Sequence, residues 1–141
     1  MRDHETFVTW LYLVNAALLA THEIDSAYWH EWEMFRLPGG LRLFLVVNFV
    51  LLLAIFYGFG RVARLERGTK LFSYLLASAG LFAFAIHITF LATGHPEFHD
   101  PVSVGLLFAT LLVSLLQFVF TARLEISASA RTALSRDIDE R

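Results

Sequence analysis

The sequence predicts an all-α integral membrane fold, a four-helix bundle running up-down-up-down with both termini in the cytoplasm (N-in/C-in). Three observations predict it. Of the 141 residues, 57% are hydrophobic and only 17% charged, a balance too apolar for a soluble domain or a disordered chain. The apolar residues fall into four long runs. Basic residues gather on one side of those runs: Arg2, Arg61, Arg64, Arg67, Lys70, Arg123, Arg131, Arg136 and Arg141 are nine of the eleven, and only Arg36 and Arg42 lie on the other side. Excess Lys and Arg mark the cytoplasmic loops.

Each crossing takes about 20 mostly apolar residues at about 1.5 Å of rise. The first span, about 7–28, is the least clean. Its run 7–20 is apolar, and it reaches full length only by including His22, Glu23, Asp25 and Ser26. Residues 1–6 have neither a basic n-region nor a small-residue cleavage site, so this run reads as a retained helix. The second span is 41–60, entered through Pro38-Gly39-Gly40; the third is 71–93, after Gly58, Gly60 and a basic connection. The fourth is 102–122, bracketed from the third by Gly94, Pro96 and Pro101. A cytoplasmic tail, 123–141, continues the last helix and mixes Arg with acids as a solvated surface does. The whole chain is one domain. It has no cysteine, which removes disulfides and thiolate metal sites. Nothing in it resembles a nucleic-acid surface.

Polar and small residues within the spans repeat every seven residues, the contact period of helices crossing at small left-handed angles. The first span has Asn15, His22 and Trp29; the third has Ser73, Gly80, His87 and Gly94; the fourth has Ser103, Thr110 and Gln117; the second has Asn48. Polar groups in lipid are costly, so these stripes are expected to face the bundle interior. For the Ser, Thr and Gly residues, packing alone is sufficient reason.

The histidines and carboxylates are not spread evenly. Residues 21–33 hold His22, Glu23, Asp25, His30, Glu31 and Glu33, and the third span with its outer loop adds His87, His95, Glu97, His99 and Asp100. His22 lies about 22 Å and His87 about 24 Å above the inner boundary, on helices of the same direction. Both should sit about 6–8 Å below the outer edge of a core about 30 Å thick, with Asn48 descending to nearly the same layer. His22, Asp25 and Ser26 share a helix face.

Imidazole and carboxylate together suit zinc or iron among other transition metals. His22, His87 and Glu23 or Asp25 would leave a position open for water, as catalytic metal sites do. The reading is therefore a metal site near the outer face, with His22, His87, His30, His95 and His99 as candidate ligands. Glu23 and Asp25 are candidates for catalysis, and Asn48 and Ser26 would support the ligands. A metal-dependent enzyme or metal-binding protein acting on a lipid or other apolar substrate follows. Three other readings stand beside it. One is a helix ending near Ala20 with its acids and Trp in the interface; one is a b-type haem protein with His22 and His87 as axial ligands and Gly80 and Gly94 making room. The third is a non-enzymatic subunit or small-molecule binder that contacts a partner subunit or a second copy. Glu31, Glu33 and His99 taken alone read as solvated surface. Only neutral polars such as Asn15, Ser78, Thr110 and Gln117 lie below the cluster, so no proton relay to the cytoplasm is expected.

The stretch His22-Glu23-Ile24-Asp25-Ser26-Ala27-Tyr28-Trp29-His30-Glu31-Trp32 resembles the signature of small four-pass bacterial membrane families of unknown function, over nearly the whole chain. That resemblance implies a multi-pass protein of a bacterial inner membrane and no established activity. Ser26 with His30, and His95 with His99, also have the Ser-x-x-x-His and His-x-x-x-His spacings of membrane hydrolases of the ceramidase and adiponectin-receptor type, which have seven spans. The sterol isomerase-like group is similar in placing His and Glu at the outer end of its first helix. Its further acids have no counterpart in the second and fourth spans here.

Overall fold

The structure is a computed structural model that describes residues 2–92 and 100–139, with side chains for 3–92 and 100–124. The described residues are helical with short connections. Helix α1 is Arg2–Tyr28, α2 is the single turn Glu31–Met34, α3 is Gly40–Ala63, α4 is Thr69–Ala92 and α5 is Pro101–Asp139. Four segments, Asp3–Tyr28, Gly40–Ala63, Thr69–Ala92 and Pro101–Leu124, are long and apolar enough to cross a membrane. The three of 24 residues extend about 36 Å, more than a hydrocarbon core of about 30 Å. The chain is a multi-pass membrane protein by this measure. Helix α1 does not end near Ala20: it continues unbroken through His22–Ser26, with His22 and Ser26 buried in the bundle and Asp25 bonded to Ser103.

The helix ends follow from local chemistry. Asp100 caps α5: its Oδ2 accepts from the N–H groups of Val102 at 2.9 Å and Ser103 at 3.1 Å, with Pro101 at the first helical position. Gly39 at φ 97° and Gly40 at φ 55° turn the chain into α3, and the left-handed backbone they need is one that glycine adopts without strain. Helix α2 is bounded by two residues that accept the same left-handed conformation at some cost, His30 at φ 54° and Arg36 at φ 49°. Sequence periodicity cannot register a turn this short.

Helix α5 packs against both α1 and α4, while α3 packs against α1 and α4 and, among the described residues, not against α5. Partners across the interior show that α3 and α5 run opposite to α1 and α4. Asp25, late in α1, meets Ser103, early in α5, at 2.9 Å, and Tyr12, early in α1, donates to the carbonyl of Ile55, late in α3, at 3.0 Å. Of the seven-residue stripes, Asn15, His22, Asn48, Ser73, Gly80, His87, Thr110 and Gln117 are buried and Trp29 and Ser103 half-buried, while Gly94 lies outside the described residues; Ser78 faces outward. Phe49, Phe56, Phe82 and Leu112, by contrast, turn their surfaces outward, where lipid accepts them.

Between α1, α4 and α5 lies a closed polar network. Asn15 Nδ2 donates to Gln117 Oε1 at 2.8 Å, and Ser114 Oγ donates to Asn15 Oδ1 at 3.2 Å. Gln117 Nε2 donates to the Ser73 carbonyl at 2.9 Å and Ser73 Oγ at 3.1 Å. Thr121 donates to the Gln117 carbonyl at 2.7 Å, so Ser73 must supply the proton in its 2.7 Å contact with Thr121 Oγ1. The helices come this close because Gly80 has no side chain: a Cβ there would run into Ser114 Oγ and lie 3.2 Å from Thr110 Cγ2. Gly80 therefore serves the α4–α5 contact and not the space for a macrocycle.

Candidate metal centre

His22 on α1 and His87 on α4 meet at the end of the bundle where the 29–39 connection crosses, as their equal depth predicts. Their rings stand edge to face, centroids 4.5 Å apart and planes at 78°. Both are 6% exposed. A haem held between two axial imidazoles needs the rings on opposite faces of a macrocycle. Rings in edge contact leave no room for one, which counts against the haem reading.

The third member is Glu31. Far from being a solvated acid, it is 3% exposed and its Oε1 lies 3.0 Å from His87 Nε2. Helix α2 is what turns it inward, with Trp32 packed on Phe44 of α3 beside it, ring centroids 5.2 Å apart. Trp32, next to Glu31, was the available signal, because it anchors the connection against the bundle.

Each of His22, Glu31 and His87 offers one ligand atom, and these atoms all lie within 4.8 Å of one another. Ligand atoms around a tetrahedral metal with bonds of about 2.0–2.1 Å stand about 3.3 Å apart, so side-chain adjustments on the order of 1 Å would bring the three into coordination. His87 is already oriented for this. Its Nδ1 lies 2.8 Å from the Ala83 carbonyl, which can only accept, so Nδ1 carries a proton and Nε2 turns toward Glu31. Such a bond on the far nitrogen is the usual support of a metal-bound imidazole. Nε2 and the Glu31 carboxylate are both electron-rich, so a proton or a metal cation has to sit between them.

The remaining candidates separate cleanly. Glu23, Ser26 and Asn48 line a cavity of about 340 Å³ between α1, α3 and α4, together with His22, Glu31 and His87. Asn48 is 9% exposed, and its Nδ2 donates to the Phe44 carbonyl at 3.2 Å. Its Oδ1 is buried without a partner among the described residues, an expense that native chains seldom keep without a use. Asp25 points to the other side of α1, where it accepts from Ser103 Oγ. There a cleft of about 20 Å³, room for about one water, touches the back of both imidazoles. His30 is exposed and its ring lies 4.9 Å from that of Trp32, so it is not brought to the trio. His95 and His99 lie outside the described residues.

A family of unknown function (DUF6713) matches residues 8–124, so the chain belongs to that family. No curated protein and no solved structure matches it.

Proposed function

We propose that this member of the family is a membrane metalloprotein whose divalent transition metal, zinc or iron, is held by His22, Glu31 and His87. The observation that carries the reading is the trio itself: three ligand atoms within 4.8 Å of one another on buried residues of α1, α2 and α4. Two imidazoles and one carboxylate leave a coordination position open, the layout in which a metal polarises a bound oxygen or activates water. Glu23 stands in the same cavity and is the candidate general base; Asp25, turned toward Ser103, supports the back of the site instead. The one-sided basic residues orient the trio toward the exterior of the cell, and the apolar cavity beside it fits an enzyme or binding protein for an apolar molecule.

Elemental analysis of the purified full chain tests the reading. About one equivalent of metal is expected, lost in His22→Ala and His87→Ala. A wild-type protein that stays metal-free after incubation with zinc and ferrous iron sinks it. A second reading has its own observation: the 3.0 Å Glu31–His87 bond can pin the connection to α4 with no metal present. In that case both substitutions lower stability and leave metal content at zero throughout.

A further inference from the structure

The cavity beside the trio has a shape and a polarity of its own. Its walls are apolar side chains of three spans, among them Leu19, Leu52, Ile55 and Ile86, and its polar groups are confined to one end. Ala79 and Ala83 line it from α4. They are too small to fill it, which is why α3 and α4 can pack while leaving this volume between them. The chamber also reaches the outside of the bundle. Leu51 on α3 and Phe82 on α4 both line it and are 38% and 67% exposed. Both are mid-span, so the surface they turn outward is lipid-facing. The cavity thus reaches the lipid-facing surface between α3 and α4, and at its polar end it is also lined by Phe35 of the outer connection, 41% exposed.

We infer that this chamber takes a single-chain amphiphile from the surrounding membrane, its chain along the Ala79–Ala83 wall and a neutral oxygen-bearing head group (hydroxyl, ester or amide) at Glu23 and the trio. The chain preference follows from the apolar walls and the lipid-facing mouth. The head-group preference follows from charge. A divalent cation is balanced by the carboxylates of Glu31 and Glu23, so an anionic head would leave uncompensated negative charge at membrane depth, where it is costly. A neutral oxygen adds a ligand without adding charge. The head-group preference rests on the metal centre proposed above; the chamber does not.

The test uses the full chain in lipid nanodiscs, loaded with zinc, and a hexadecanol carrying a mid-chain photoreactive diazirine, compared with the corresponding hexadecanoic acid. Labelled residues are mapped by mass spectrometry. The alcohol is expected to label chamber residues such as Leu52 and Ile86 and to do so more strongly than the acid. Ala79→Leu, which fills the wall, should cut that labelling roughly tenfold while zinc stoichiometry stays unchanged; Ala79→Val is the second variant should the first not fold. Labelling confined to lipid-facing residues such as Phe49 and Leu112, or unaffected by both fillings, overturns the chamber. Equal labelling by acid and alcohol overturns the neutral head. Specific labelling in a protein that binds no zinc supports the chamber and removes the metal centre, so the two failures are distinguishable.

Discussion

Glu31 Oε1 and His87 Nε2, 56 positions apart in the chain, lie 3.0 Å from each other, and both residues are buried. Removing one partner of a buried pair leaves the other uncompensated. Glu31→Ala is expected to cost about 3–5 kcal/mol and to abolish metal binding. The double substitution Glu31→Met/His87→Leu is expected to recover most of that stability, since apolar replacement of both partners is often neutral, and still to bind no metal. Reversible unfolding in mixed micelles, alongside elemental analysis, measures both.

Asp25 and Glu23 are two positions apart and face different things. Asp25→Ala removes the nearer acceptor of the Ser103 hydroxyl, leaving Asp100 at 3.5 Å, and should lower stability by about 1 kcal/mol with metal stoichiometry intact. Glu23→Gln keeps the shape of the cavity end and should also retain the metal, while the substrate-dependent step, once assayed, is lost. Metal loss in Asp25→Ala would instead place that acid in the coordination sphere.

Gln117 makes hydrogen bonds to both α1 and α4. Interhelical hydrogen bonds in membranes contribute about 0.6 kcal/mol on average and up to about 1.7. Gln117→Leu is therefore expected to destabilise by about 1–3 kcal/mol, read as a lower midpoint of denaturation by sodium dodecyl sulfate. A midpoint equal to the wild type would mean that the network is incidental to packing.

Two glycines make opposite forecasts. A methyl group at Gly80 collides with Ser114 and crowds Thr110, whereas one at Gly105 meets nothing within 4 Å. Gly80→Ala should cost about 1–3 kcal/mol by overpacking, and Gly105→Ala should gain up to about 1 kcal/mol of helix propensity. The same denaturation assay separates them.

Topology can be tested without background because the chain contains no cysteine. In intact cells a membrane-impermeant maleimide should label Glu33→Cys and spare Arg64→Cys, with the order reversed in inside-out vesicles. The opposite pattern would turn the bundle over and place the trio near the cytoplasm.

Much of this architecture was legible in the sequence, for reasons that can be named. Four apolar runs must cross, because lipid offers backbone groups no partner. The seven-residue stripe that holds Asn15 and His22, and the one that holds Ser73, Gly80 and His87, turn inward because polar side chains avoid hydrocarbon. That geometry also brought residues 22, 48 and 87 to one layer. What stayed illegible depends on tertiary position. Glu31 enters the site through a single helical turn set between left-handed His30 and Arg36, and four residues carry no period. Ser114 and Thr121 lie off the seven-residue register of Thr110 and Gln117, yet both are buried; a helix of 3.6 residues per turn buries a wider stripe than a strict heptad shows. Asp25 reads as equivalent to Glu23 until the neighbours of α1 are known, since only the position of α5 assigns it to Ser103.

The network around Gln117 has an electrical meaning. The hydroxyls of Ser73, Ser114 and Thr121 each donate to an acceptor within it, and amides do not pass protons on as imidazoles or carboxylates can. Moving a proton from the histidine layer toward the basic end would require several donors to break and turn together. The polar layer below the histidines thus ties α1, α4 and α5 together while giving a proton no ready path between the two ends of the bundle.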